Sequence, residues 1–212
     1  MTQEYFCRRQ CCHYYVRPYP ARYSYAHHHR PPSWNGIRKA GSFVFDGEQQ
    51  KTLLVQSRGL MWGPPKGSLN LGETPLECAC REVREETGLD LMLNDRTPSV
   101  TLSKSLFYLT EMPECAVAVQ THPNDLDAND ANGIGWFSVN CLKELVETGE
   151  LAINQPCRAL IERVFHIHID PNDPFYSNRA RGGFRSFSSA SRSMDGPAEQ
   201  EEKEQGQYPQ GP

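Results

Sequence analysis

The chain has 212 residues, of which 38% are hydrophobic and 23% are charged, and its formal net charge at pH 7 is −4. This length accommodates one domain of about 130 to 150 residues plus tails, which is enough to bury its own core. The N-terminus lacks the apolar segment of a signal peptide and no run of about 20 apolar residues occurs, so we expect a soluble intracellular protein that does not span a membrane.

Charge is distributed unevenly along the chain. Residues 1–41 have a balance of +6, residues 42–176 have a balance of −10, and residues 177–212 contain five charges of each sign. An acidic centre that acts on phosphates must neutralise charge with metal ions, whereas a basic N-terminal segment can contact a polyanion.

Residues 1–40 are predicted to form a disordered arm, because neither helical nor strand periodicity occurs there. The arm is basic and contains six tyrosines. Aromatic side chains between arginines can stack on unpaired bases and contact phosphates, so RNA contact is one interpretation and a plain solvated leader is the other.

The eight cysteines do not have the spacing of a secreted disulfide framework, and we interpret them as reduced and mostly as packing residues. Near the N-terminus, several residues are of types that bind Zn²⁺, but their spacing fits no standard zinc finger: Cys7, Cys11, Cys12, His13 and residues 27–29.

From residue 41 the composition changes to that of a folded domain, which we assign to residues 41–170. Residues 42–45 and 52–56 are predicted to be two paired strands joined by a polar turn. The loop that follows contains two prolines, and Lys66 within it can reach a phosphate as a point charge.

A helix is predicted to begin at Pro75. Thr74 can cap the first N–H groups and Glu77 can bond back to the cap, which is the capping-box pattern. Gly88 supplies the left-handed residue that ends the helix.

One face of this helix is acidic. Glu82, Glu85 and Glu86 follow an i, i+3, i+4 pattern, so three like charges share a face and repel one another. Three carboxylates suit a hard cation such as Mg²⁺ or Mn²⁺. The alternative is a solvated acidic face in which Arg81 and Arg84 act as local ion-pair partners.

The spacing of Gly67, Glu73 and the segment 81–89 resembles the signature of the Nudix hydrolases, G-x5-E-x7-R-E-U-x-E-E-x-G-U, at every fixed position, including Gly88. The resemblance implies that the three glutamates hold divalent metal and that Arg81 and Glu73 form a salt bridge. It also implies that the catalytic residues include Glu82 and Glu85, with Glu82 or a loop carboxylate as base. Asp130 is the nearest such carboxylate before Trp136, and Asp125 and Asp127 are rivals.

Further strands are predicted at residues 89–93, 102–109, 116–120 and 134–137, with helices at 139–148 and 156–166. Helices on both faces of a mixed sheet predict an α/β fold, a three-layer α/β/α sandwich, which agrees with the fold that the Nudix resemblance implies. Residues 171–212 are rich in Ser, Gly and Arg and then acidic, and we predict that they are a disordered tail.

The segment 62–67 resembles the W-x-P-P-K-G motif of asymmetric dinucleoside tetraphosphate hydrolases. It resembles less closely that of mRNA-decapping Nudix enzymes, and diphosphoinositol polyphosphate hydrolases share its P-P-K-G part. The resemblance implies a nucleotide or polyphosphate substrate contacted by Trp62 and Lys66, either a dinucleoside polyphosphate or 5′-capped RNA. The alternatives are a diphosphoinositol polyphosphate hydrolase, a non-catalytic RNA-binding regulator and a scaffold.

Overall fold

The structure is a computed structural model that describes residues 2–17, 32–56, 60–120 and 131–170. The strands are β1 (Gln3–Phe6), β2 (His13–Val16), β3 (Lys39–Asp46), β4 (Lys51–Gln56), β5 (Met61–Gly63), β6 (Lys66–Ser68), β7 (Ser99–Leu102), β8 (Ser105–Glu111), β9 (Gly133–Ser138) and β10 (Ala152–Ile153). The helices are α1 (Pro75–Thr87), α2 (Val139–Glu147) and α3 (Gln155–Phe165). None of these helices has the length and apolar character needed to cross a membrane.

The strands form one mixed sheet whose main path runs β1-β2-β9-β4-β3-β8-β7. Neighbours on this path are antiparallel except β3 and β8, which run parallel from the pair Lys39–Ser105 to the pair Phe45–Glu111. The short strand β6 pairs with β3, and β5 pairs with both β4 and β10. The predicted pairing of the strands at 42–45 and 52–56 is therefore confirmed.

Helices cover both faces of this sheet. Successive side chains of a strand point to opposite faces, so the neighbours of two β3 residues show which helices lie on each face. On β3, Ala40 packs in the cluster that contains Cys78 and Ala79 of α1. Phe43, on the opposite face, packs in the cluster that contains Leu142 of α2 and Leu160 of α3. The predicted three-layer α/β/α arrangement is confirmed.

The predicted disorder of residues 1–40 is wrong for residues 3–16, which form the hairpin of β1 and β2. Strand β2 extends the sheet by pairing with β9 from His13–Trp136 to Val16–Gly133. Tyr14 packs on Phe137, with ring centroids 5.1 Å apart. Each strand has only four residues, too few for a period-2 pattern to be recognised in a basic, cysteine-containing segment. Residues 18–31 and the predicted tail 171–212 lie outside the described residues.

Three strand predictions also differ from the structure. Residues 102–109 form parts of two strands, β7 and β8, because Ser103 turns the chain with a left-handed φ of 58°. Residues 89–93 and 116–120 are not strands. Their alternating residues Leu89, Leu91, Val117 and Val119 pack against a face of the sheet rather than pairing along its edge. The helices α2 and α3 match their predicted bounds to within one residue.

Candidate active site

Local sequence fixes both ends of α1. Thr74 accepts the N–H of Glu77 at 3.2 Å, and the Glu77 carboxylate accepts the N–H of Thr74 at 2.9 Å, which completes the predicted capping box. At the other end Gly88 has a left-handed φ of 77° and donates its N–H to the carbonyl of Arg84 at 2.9 Å. The helix therefore begins and ends where the sequence predicted.

The three glutamates of the acidic stripe, Glu82, Glu85 and Glu86, differ in how far they are exposed. The side chain of Glu82 is 14% exposed and that of Glu85 is 47% exposed. Glu86 is 5% exposed and lies beside the buried Val83 and Thr87. The acidic stripe thus runs from solvent into the protein, which is not the arrangement of a wholly solvated acidic face.

The Glu82 carboxylate lies directly against the backbone of Gly67. A Cβ atom placed on Gly67 would be 2.0 Å from the Glu82 carboxylate carbon, so only glycine leaves room for this carboxylate. Burial raises the pKa of Glu82, and the neighbouring Arg81 guanidinium opposes that rise. The glycine of the signature therefore has a steric role in placing Glu82.

Arg81 connects the helix to the loop that precedes it. Its Nε donates to Oε1 of Glu73 at 2.7 Å and its Nη2 donates to Oε2 at 3.0 Å, so the predicted salt bridge is present and bidentate. Its Nη1 donates to Glu82 at 2.8 Å and to Glu85 at 2.9 Å. Hydrogen bonding to Arg81 lowers the pKa of Glu73, and the same interaction raises the pKa of Arg81.

Lys66 lies beside the buried end of the acidic stripe. Its backbone N–H donates to Oε2 of Glu86 at 2.9 Å. Burial lowers the pKa of the Lys66 ammonium group, and the negative charges of Glu86 and Glu82 oppose that effect. The segment 61–68, which contains β5, β6 and the two prolines between them, is thus bound to α1, and Lys66 is placed next to the carboxylates.

The arrangement of these groups fits a hard divalent cation. The guanidinium of Arg81 donates to Glu73, Glu82 and Glu85, and Glu86 lies at the buried end of the stripe beside Lys66. Four carboxylates therefore face two cationic side chains. Partial burial makes this excess negative charge costly unless a cation compensates it. Carboxylate oxygens are the ligands that Mg²⁺ and Mn²⁺ prefer. Glu82, Glu85 and Glu86 are therefore the residues that would hold such an ion.

The structure places Trp62 differently from the sequence prediction. Its side chain is 3% exposed, with ring centroids 5.5 Å from Tyr14 and 4.9 Å from Phe137. The hairpin of β1 and β2, which was predicted to be disordered, provides part of this cover. Trp62 therefore packs as a core residue rather than presenting its ring to a substrate.

The predicted alternative base is not among the described residues. Asp130, and its rivals Asp125 and Asp127, lie in the segment 121–130, outside those residues. Trp136, which follows this segment, is buried and donates its Nε1–H to the carbonyl of Cys115 at 3.0 Å.

Asn154 holds the segment 61–68 in place, a role that no motif in the sequence indicates. It caps α3 by accepting the N–H of Cys157 at 3.0 Å, and its own N–H donates to the carbonyl of Trp62 at 2.9 Å. A Cβ atom on Gly63 would be 1.9 Å from the Asn154 side-chain nitrogen. An Asn before Gln-Pro indicates a helix cap, but no local pattern indicates that this cap contacts a loop about 90 residues earlier.

Comparison with known proteins agrees with this geometry. A family model described as "NUDIX domain" matches residues 37–154, which is more than half of the chain. The chain is 38% identical over 110 residues to "Putative hydrolase 111R" of Invertebrate iridescent virus 3, a match that spans 51% of this chain and 62% of the relative.

Two further matches are shorter. The chain is 45% identical over 53 residues to m7GpppN-mRNA hydrolase dcap-2 of Caenorhabditis elegans, spanning 24% of this chain and 7% of the relative. It is 42% identical over 57 residues to RNA pyrophosphohydrolase of Rhizobium meliloti, spanning 26% of this chain and 28% of the relative. The matches thus span less than two thirds of each of these relatives. The family-model match, together with the fold and the geometry of α1, shows that the chain belongs to the Nudix family.

Proposed function

We propose that the protein hydrolyses a phosphoanhydride bond in a nucleoside polyphosphate-type substrate, using Mg²⁺ or Mn²⁺ held by Glu82, Glu85 and Glu86. The observation that carries the proposal is the placement of the Glu82 carboxylate against Gly67, next to Arg81 and the buried Glu86. When bound, the cation would neutralise phosphate charge and lower the pKa of a coordinated water.

The protein groups around this centre have separate roles in the proposal. Arg81 and Glu73 hold the glutamates and the loop in place, so they are positioning residues. The Lys66 ammonium group contacts a phosphate that is not part of the bond being hydrolysed. The base that accepts the proton of the attacking water is Glu82 or Asp130. Glu85 is the other catalytic residue and acts as a metal ligand. Charged groups that are already in position before the reaction begins make the largest contribution to stabilising the transition state in a site of this kind.

For the substrate, we favour the 5′ end of RNA, either capped or polyphosphorylated. Two relatives are named m7GpppN-mRNA hydrolase and RNA pyrophosphohydrolase, and they are 45% and 42% identical to this chain over the matched segments. The exposed Phe6, on the hairpin of the basic N-terminal segment, offers a surface on which a base can stack.

A second candidate is a dinucleoside polyphosphate, which the motif at residues 62–67 supports. The two substrates share a long polyphosphate chain, for which Lys66 is suitably charged. A diphosphoinositol polyphosphate and a non-catalytic RNA-binding role remain as outcomes of the test.

The test is a panel of substrates incubated with the full chain in Mg²⁺, in Mn²⁺ and in excess chelator. The panel contains capped RNA, 5′-triphosphorylated RNA, dinucleoside tetraphosphate, diphosphoinositol phosphate and nucleoside triphosphates. We expect metal-dependent turnover, with the highest kcat/KM for an RNA 5′ end. Highest kcat/KM for the dinucleotide would support the second candidate, and RNA binding without turnover of any compound would contradict the enzyme proposal.

A further inference from the structure

We propose that Cys7, Cys11, Cys12 and Cys141 bind one structural Zn²⁺ ion, which fastens the hairpin of β1 and β2 to helix α2. The four sulfur atoms all lie within 4.8 Å of one another. The Sγ atoms of Cys7 and Cys11 are 3.4 Å apart, and those of Cys11 and Cys12 are 4.0 Å apart. Three ligands come from the N-terminal segment and the fourth comes from a helix more than 120 residues later.

The separations of 3.4 and 4.0 Å lie on either side of the value for a single tetrahedral ion. A Zn–S bond of about 2.3 Å places the sulfur atoms at the corners of a tetrahedron about 3.8 Å apart. A disulfide would need a sulfur–sulfur distance of about 2.05 Å, which is much shorter than the two separations observed. Four thiolates are soft ligands that select Zn²⁺ over the hard cations proposed for the glutamates of α1.

The backbone around the cysteines is arranged as a compact loop. Gln10 has a left-handed φ of 55° and donates its N–H to the carbonyl of Cys7 at 2.9 Å. The N–H of Cys12 donates to Sγ of Cys7 at 3.3 Å. Such N–H donors stabilise a charged sulfur, as second-layer hydrogen bonds do in metal sites generally.

The cluster would attach the hairpin to α2, in addition to the pairing of β2 with β9 that attaches it to the sheet. Cys12 is fully buried and Cys141 nearly so, and both pack in the core cluster that contains α2. The ion pair of Arg9 with Glu144, at 2.9 Å, also joins the loop to α2, but both side chains are more than half exposed. The hairpin has two four-residue strands at the edge of the sheet, with β1 paired to β2 and β2 paired to β9. A Zn²⁺ ion bound by four thiolates would add a strong second attachment of this edge to α2.

The hairpin held in this way covers Trp62 through Tyr14. The zinc site would therefore stabilise the hairpin that packs behind the segment carrying Lys66. It would take no part in the proposed hydrolysis. This separation allows the zinc site to be tested independently of the proposed hydrolase activity.

The test is the metal content of the full chain, purified in reductant without a metal-binding tag and measured by elemental mass spectrometry. We expect about one zinc per chain in the wild type, with four thiolate ligands. Co²⁺ exchanged into the site should give the visible absorption of a tetrahedral ion and a thiolate-to-metal charge-transfer band. Cys141→Ser and, at the half-buried ligand, Cys11→Ser should lose most of the zinc. Cys157→Ser is the matched control, because Cys157 is also buried and is also the third residue of its helix.

Hydrogen exchange gives a second measurement that does not depend on how the variants fold. Chelation of the wild-type protein should increase exchange in residues 3–16 and leave α1 protected. The proposal would be overturned by a wild-type protein without zinc, by iron in its place, by a disulfide among the four cysteines under reducing conditions, or by full zinc retention in both Cys141→Ser and Cys11→Ser.

Discussion

The carboxylate of Glu82 occupies the space that a side chain on Gly67 would need, with its carbon 2.0 Å from the position of a Cβ atom. We predict that Gly67→Ala displaces Glu82 and lowers kcat/KM about 100-fold, the scale expected when a catalytic group moves by about 1 Å. Steady-state kinetics at saturating Mg²⁺ measures the loss.

The control for that substitution is Gly72→Ala. Gly72 has a left-handed φ of 82° but open space around its Cβ position, so this variant carries backbone strain without displacing a carboxylate. It should lose about 1 kcal/mol of stability and keep its activity. Equal losses of activity in the two variants would show that any change in this loop lowers activity, and would contradict the specific role of Gly67 in placing Glu82.

A second prediction concerns the salt bridge of Glu73 and Arg81. Glu73→Gln should lower the free energy of unfolding by about 2 kcal/mol at neutral pH, because it removes a bidentate, charge-assisted interaction. The pKa of Glu73 is lowered in the folded state by Arg81, so its contribution is complete above the unfolded-state pKa and is lost as pH falls through the folded-state pKa.

The stability difference between wild type and Glu73→Gln should therefore shrink as the solution is acidified below the ordinary range of a glutamate. Urea unfolding at a series of pH values measures this difference. Glu147→Gln, on the exposed face of α2, serves as control and should cost well under 1 kcal/mol. A difference independent of pH would contradict the assignment of the ion pair.

A third prediction is that Lys66→Ala raises KM about tenfold for a tetraphosphate or capped substrate and less for a nucleoside triphosphate. This expectation rests on our proposal that Lys66, whose backbone N–H donates to Glu86, contacts a phosphate that short substrates lack. Lys143→Ala, a lysine of α2 that pairs with Glu147 at 3.7 Å, is the control. A small and equal effect of Lys66→Ala on every substrate would indicate that this lysine does not read polyphosphate length.

The fourth prediction concerns RNA contact through residues 1–40. Deleting the segment would also remove β2 and three of the four clustered cysteines, so a single substitution is the sharper test. Phe6 is 55% exposed and stacks on His13 with ring centroids 4.4 Å apart. Phe6→Ala should weaken binding of single-stranded RNA by about 1–3 kcal/mol, the value of one base stacked on an aromatic ring.

Titration with RNA at two salt concentrations measures this loss and separates stacking from phosphate contact. Met92→Ala removes another exposed apolar side chain and should leave the affinity unchanged. If Phe6→Ala also has no effect at either salt concentration, the hairpin does not bind RNA and a small-molecule substrate becomes the better proposal.

Sequence predicted the features of this protein that depend on neighbouring residues. The ends of α1 follow from Thr74 and Gly88, and the salt bridge of Glu73 and Arg81 is the one that the Nudix resemblance implied. These interactions lie within one loop and one helix, so a short segment contains all the information that they need.

The features that sequence did not predict depend on distant partners. Strand β2 is recognisable only when β9, about 120 residues later, lies beside it. Trp62 is identified as a core residue only when the hairpin that covers it is present. The cysteine cluster likewise needs Cys141, which has no special spacing relative to Cys7, Cys11 and Cys12. Tertiary pairing, rather than local propensity, decided each of these cases.

The central claim is that Glu82, Glu85 and Glu86 of α1 hold the cation on which hydrolysis depends. Glu85→Gln and Glu86→Gln keep the shape of the side chain while removing a charge, and the amide oxygen at residue 86 can still accept the N–H of Lys66. Relief of like-charge repulsion should keep the metal-free stability unchanged or slightly higher.

Titrating turnover against Mg²⁺ in wild type, Glu86→Gln and the control Glu147→Gln tests this claim most directly. We predict that Glu86→Gln remains folded, loses at least about 100-fold in kcat at limiting Mg²⁺ and needs much more Mg²⁺ for half-maximal rate, while Glu147→Gln matches the wild type. Near-native turnover by Glu86→Gln at limiting Mg²⁺ would contradict the account.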